Sequence, residues 1–201
     1  MPPQQDLDDI DPQSGCRLPL PRREELDPDG QTIYDRLTST SAENLRGLRG
    51  PGGIQLHSPE LSKRSRPLNH YLRFEAGLGD RVRELAIFTT ARELDSQFEW
   101  AAHEQEALRQ GMSPELIDIV RHRCSLDEVA EPDAIVIALG REIFGTHKVS
   151  SATYARALAE FGRRELVDLV ALMGNYAATA ALLTAFDMQL GPDVEPGLPT
   201  L

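Results

Sequence analysis

The chain has 201 residues, of which 21 are basic and 32 acidic, for a formal net charge of −11. That length suits one well-buried domain with extensions and is tight for two. With no block of lysine or arginine to track phosphates, neither nucleic acid nor an anionic membrane surface is expected as a partner.

Residues 1–21 are acidic, contain several prolines and lack the apolar core of a signal or transit peptide. They have little to bury and read as a flexible N-terminal arm, ordered only by docking on a larger surface. The two cysteines, Cys16 and Cys124, form no Cys-x-x-Cys pair. That offers neither a disulfide framework nor a zinc knuckle, and suits a reducing, cytoplasmic setting.

Asp27-Pro28 supplies an N-cap and a first-turn proline for a helix to about Ser39, with Ile33, Tyr34 and Leu37 as its apolar stripe. The run from Arg46 to His57 concentrates glycine and proline and reads as a loop, with His57 a candidate for covering a site. Ser58-Pro59-Glu60 restarts a helix expected to bend near Pro67 and end at Gly77-Leu78-Gly79. Asp80 is read as the cap of the next helix, which buries Val82, Leu85, Ala86, Phe88 and Thr89.

After a break at Asp95 to Gln97, a second central helix runs to Gln110, and Gly111 followed by Ser113-Pro114-Glu115 opens another. The two central helices form an antiparallel hairpin. A helix from about Pro132 to Phe144 follows, then one capped at Ser150 or Ser151. From Arg163 to Phe186 the chain is apolar almost all round and rich in small residues, as in a buried or subunit-packed helix. Asp168 and Asn175 interrupt it, and no run approaches the roughly 20 residues needed for a membrane span. Residues 22–190 thus read as one helical domain and 191–201 as a C-terminal tail. No period-two alternation appears, so the fold class is all-α. A faint echo of Tyr71-x-Arg73 with Arg83-Glu84-Leu85 in Tyr154-x-Arg156 with Arg164-Glu165-Leu166 suggests a duplicated unit.

Three ionisable groups of the central hairpin, Glu84, Glu99 and His103, stand on otherwise apolar faces. Glu99 and His103, four apart, share one helix face, and Glu84 can fold back towards them. Read blandly, the first two are a solvated surface pair and Glu84 is a salt-bridge partner of Arg81 or Arg83. Read chemically, burial and a neighbouring imidazole let the pair share a proton near neutrality, which suits general acid and base work. Trp100 is either core or a ligand platform, and the Tyr176 hydroxyl needs a partner that a pocket would supply. No third metal ligand is visible beside Glu99 and His103, so no metal is expected.

Arg83-Glu84-Leu85-Ala86-Ile87, Glu99-Trp100-x-x-His103, Ala107 and the Gly111-Met112-Ser113 turn with Glu115 resemble the carboxymuconolactone decarboxylase family, which shares its fold with the alkylhydroperoxidase D proteins. Gly50-Pro51-Gly52-Gly53 with His57-Ser58-Pro59, and the stretch from Tyr154 to Tyr176, extend the likeness over about residues 20 to 190. The peroxidase branch uses Cys-x-x-Cys-x-x-x-His with a relay glutamate on the preceding helix. Those positions here are Ser96, Glu99, His103 and Glu84, so the thiols that peroxide reduction needs are missing.

The resemblance instead implies a cofactor-free lyase acting on a small carboxylated lactone, with His103 as acid, Glu99 as its orienting partner or base, and Glu84 as relay. Tyr176, Trp100 and His57 are its substrate-contact candidates. An arginine, Arg73 or Arg92, would have to bind the substrate carboxylate. The fold implies a homo-oligomer, whether dimer, trimer or hexamer. The alternative is an oligomeric binding or structural protein that keeps the fold without the chemistry.

Overall fold

A computed structural model describes residues 9–39 and 47–199. The first eight residues of the expected arm, Arg46 at the start of the expected loop, and the last two residues of the tail lie outside these. Among the described residues there are helices and no strand, apart from a single bridge between Asp11 and Cys16.

These residues divide into two compact units, one drawn from Met1–Arg66 and Ala181–Val194, the other from Pro67–Ala180 and Glu195–Leu201. In the first unit, α1 (Pro28–Thr38) starts where the Asp27 carboxylate accepts a hydrogen bond from the Gly30 amide at 2.7 Å, as a capping residue should. Its Ile33 and Leu37 pack with Leu56 of α2 (Pro51–Leu56). The expected loop therefore contains a helix. Pro51 occupies a first-turn position, and Gly53 lets the helix lie against the chain before it, since a Cβ there would sit 2.0 Å from the Leu48 carbonyl oxygen. The glycines serve close packing as well as turning. Arm residues 9–21 gain the docking their composition requires: Cys16 is buried, and Arg17 and Gly15 pair through the backbone with Phe186 and Gln189.

The chain enters the second unit within α3 (Pro59–His70), at Pro67, and α3 runs on as a wider π-helical turn over Tyr71–Glu75. Next come α4 (Asp80–Glu93), α5 (Gln97–Arg109), α6 (Pro114–Arg121) and α7 (Asp133–Gly140), the last extended by a π-helical turn, Arg141–Thr146. Asp80 is the first residue of α4, not its cap, and its carboxylate turns to Arg83. Asp95, with a φ of 51°, reverses the chain between α4 and α5. Gly162, with a φ of 67°, divides the final helical stretch Ser151–Ala185 into α8 (151–161) and α9 (163–185), the two helices expected there.

The core of this unit surrounds α4, whose residues Arg83 to Arg92 are all buried. A helix buried on every side sits at the centre of its fold. Leu85, Ile87 and Phe88 of α4 meet Trp100 of α5, Ile135 and Ile137 of α7, and Leu169, Leu172 and Met173 of α9. By length and composition Ser151–Ala185 would pass for a membrane-crossing helix, with a mean hydropathy of 1.6 and 44% of that window buried. This corrects the expectation that no apolar run is long enough. The run of alanine and leucine in α9 raises the average, while Leu166, Leu169, Leu172 and Met173 face the core.

Candidate active site

A central helix has no solvent to offer its charged side chains, so each must find a partner. On α4, Glu84 is fully buried and Arg83 nearly so. The Arg83 guanidinium reaches Glu84 Oε1 at 3.1 Å, Asp80 Oδ1 at 2.6 Å and the Arg73 carbonyl oxygen at 3.0 Å. Glu84 Oε2 lies 2.9 Å from His103 Nδ1 on α5. Burial alone would raise the Glu84 carboxyl, but the bonds and charges of His103 and Arg83 hold it below its ordinary value. An ionised carboxylate only accepts, so His103 Nδ1 carries the proton and donates it to Glu84. That leaves Nε2 for chemistry.

Glu99 lies one turn before His103 on the same face of α5 and is 3% exposed. Neither of its carboxyl oxygens has a hydrogen-bond partner among the described residues. Burial pushes this carboxyl up to about 8, with Ser96 alone opposing the shift. Glu99 therefore holds its proton at neutral pH. The imidazole is oriented by Glu84, so the role foreseen for Glu99 as orienting partner is occupied from α4.

Tyr176 of α9 packs edge-on to His103 with ring centroids 5.4 Å apart. Burial raises its hydroxyl above the usual range, Arg73 opposes this, and the charge of Glu84 adds to it. Three helices thus converge on one cluster of Glu84, Glu99, His103 and Tyr176. The bland reading of the Glu99 and His103 pair as a solvated face does not describe this structure. The bland reading of Glu84 does hold in part, because its ion pair with Arg83 and its bond to His103 coexist. Arg83 was weighed as a competitor for Glu84 rather than as a member of the site. Its place three residues after Asp80, on an otherwise apolar helix, was the available signal.

The remaining candidates make other contacts. Trp100 has no exposed surface and stacks on Phe88 with centroids 3.7 Å apart. His57 belongs to the first unit, where its Nε2 is 2.8 Å from the Pro19 carbonyl oxygen. Arg92 is buried and taken up by the Asp95 carboxylate and the Arg121 carbonyl. Among the described residues no three histidine, cysteine, aspartate or glutamate side chains group as metal ligands.

Residues 59–138 match the sequence model of the carboxymuconolactone decarboxylase family. Over this stretch the chain is similar to that family. The match takes in Glu84, Glu99 and His103, while Tyr176 lies beyond it. No curated protein matches the chain. The cluster offers a proton on Glu99, an imidazole fixed through Nδ1, and a phenol, all buried. Neither cysteine is one of its four residues.

Proposed function

We propose that this domain is a cofactor-free lyase that removes carbon dioxide from a small carboxylated lactone or a related acid. The observation that carries the reading is Glu99, a buried carboxyl with no hydrogen-bond partner among the described residues, which keeps its proton at neutral pH beside the Glu84 and His103 pair. Decarboxylation breaks the bond between the carboxylate carbon and the substrate, and the electron pair stays on the substrate as an enolate. Glu99 delivers its proton to the carbon that lost carbon dioxide and becomes a carboxylate. His103 Nε2 returns a proton from solvent, and Glu84 positions the ring and steadies its charge. The Tyr176 hydroxyl donates to the enolate oxygen. Low polarity favours the step, because a localised carboxylate charge becomes a delocalised one.

Release of carbon dioxide from a panel of muconolactones and vinylogous or β-keto acids is the direct assay. Glu99→Gln and His103→Gln are each expected to abolish it while the helical circular dichroism stays intact. Activity retained in both variants would remove the reading.

We further infer a homo-oligomer. Val167 and Val170 on the outer face of α9 are 67% and 40% exposed, and Ala171, Gly174 and Ala178 continue that exposed face. Apolar residues in a row facing water suit subunit packing. The same face would serve a protein that kept the fold without chemistry, and the assay above separates the two.

A further inference from the structure

A catalyst that acts on a carboxylated substrate needs a cation to hold it, and most arginines near the cluster are already spent. Arg83 is shared between Glu84 and Asp80. Arg81 is bonded to Asp133, and Arg92 to Asp95. Arg73 differs. Its Nε is buried with no hydrogen-bond partner among the described residues, and no carboxylate there forms an ion pair with it. Its guanidinium lies 4.8 Å from the Phe74 ring centroid, and the Arg83 guanidinium lies over the same ring at 5.7 Å.

The backbone around Arg73 is unusual as well. It sits in the π-helical turn Tyr71–Glu75, a wide turn that often marks a functional site. Its carbonyl oxygen accepts from Arg83, which ties the turn to Glu84 and through it to His103. The Arg73 charge is also felt at the Tyr176 hydroxyl. A buried donor left unbonded costs roughly 1–3 kcal/mol, so a vacant N–H beside a reactive cluster calls for an explanation.

We propose that Arg73 is the anchor for a substrate carboxylate, which accepts from its Nε–H and orients the substrate against Glu99, His103 and Tyr176. The carboxylate held is one that the substrate keeps. An ion pair to the departing group would stabilise the ground state against its loss and slow the reaction. Arg73 is accordingly a binding and positioning residue, and its removal raises KM far more than it lowers kcat. The inference rests on reading the cluster as a substrate site, and does not depend on which reaction follows.

Two pairs of probes test it by calorimetric binding: muconolactone against its methyl ester, and benzoate against benzamide. The intact chain is expected to prefer the acid in at least one pair. Arg73→Gln is expected to lose that preference, about tenfold to a hundredfold in affinity for the acid, as for a charged hydrogen bond, with the neutral twin unaffected. Arg73→Lys keeps the charge but not the planar Nε–H and is expected to fall between. If Arg73→Gln fails to fold, Arg73→Lys carries the test. No preference for acid in the intact chain, an unchanged preference in Arg73→Gln, or an unchanged affinity in Arg73→Lys would overturn the anchor. Acid binding that depends on Arg73, without any release of carbon dioxide, would leave the anchor standing and remove the decarboxylase reading. Release of carbon dioxide that is indifferent to Arg73 would do the reverse.

Discussion

The two central helices each bury one glutamate, at 0% exposure for Glu84 on α4 and 3% for Glu99 on α5, and treat them in opposite ways. Glu84 is bonded to His103 and Arg83 and stays ionised, while Glu99 has no hydrogen-bond partner among the described residues and stays neutral. Equal burial therefore does not fix protonation; the partners decide. The pairing separates a fixed negative charge that orients an imidazole from a mobile proton available for transfer, which is how two carboxyls in one site take different roles.

Breaking the paired side should have the largest effect. Glu84→Ala leaves Arg83 short of a partner and His103 unheld. It should cost about 3–5 kcal/mol in denaturant unfolding, as for one half of a buried ion pair. The Glu84 contribution is present above the unfolded carboxyl value and is lost as pH falls through its lowered folded value, so the gap between wild type and Glu84→Ala should close in acid. Turnover should fall by roughly 10²- to 10⁴-fold as His103 loses its orientation.

Breaking the unpaired side should lower turnover by a similar factor, roughly 10² to 10⁴, but with the opposite effect on stability. Glu99 holds its proton up to about 8 when folded and releases it near 4.5 when unfolded. The stability tied to that proton is complete below the unfolded value and is lost as pH rises through the folded one. Glu99→Gln stays neutral throughout. Relative to wild type it should gain stability between those two values, by a few kcal/mol at most, as read by melting curves across pH. A variant that loses both activity and stability at neutral pH would contradict the unpaired assignment.

Tyr176→Phe removes one donor and should lower kcat by about tenfold, a single neutral hydrogen bond, with little change in the pH profile. His57→Ala should change neither activity nor the melting temperature measurably, because the ring is exposed and, among the described residues, bonded only to the Pro19 carbonyl.

Much of this contrast could be read from the residues, and the rest could not for a physical reason. The all-α class, the hairpin, and the breaks at Asp95 and Gly111 follow from periodicity and from residues that stop helices. The facing of Glu99 and His103 follows from their spacing of four. Which glutamate meets the imidazole does not, because it depends on how α4 and α5 are rotated about their axes, and Glu84 is 19 residues from His103 in the chain. The short helix α2 reads as loop in the sequence because glycine lowers helix propensity, whereas close packing at Gly53 decides the structure. Arg73 and Arg92 look alike in sequence, and the placement of Asp95 and of the Arg121 carbonyl distinguishes the occupied cation from the one with an unbonded Nε.

The central claim, a buried glutamate that is neutral beside one that is ionised, is tested most directly by following the carboxyl groups themselves. Selective carbon-13 labelling of glutamate, followed through a pH titration by nuclear magnetic resonance, reads each side-chain carboxyl carbon. One resonance should titrate near 8 and vanish in Glu99→Gln, while the resonance lost in Glu84→Gln should titrate below the ordinary glutamate value. If every glutamate carboxyl is already ionised at neutral pH, Glu99 is not the proton donor.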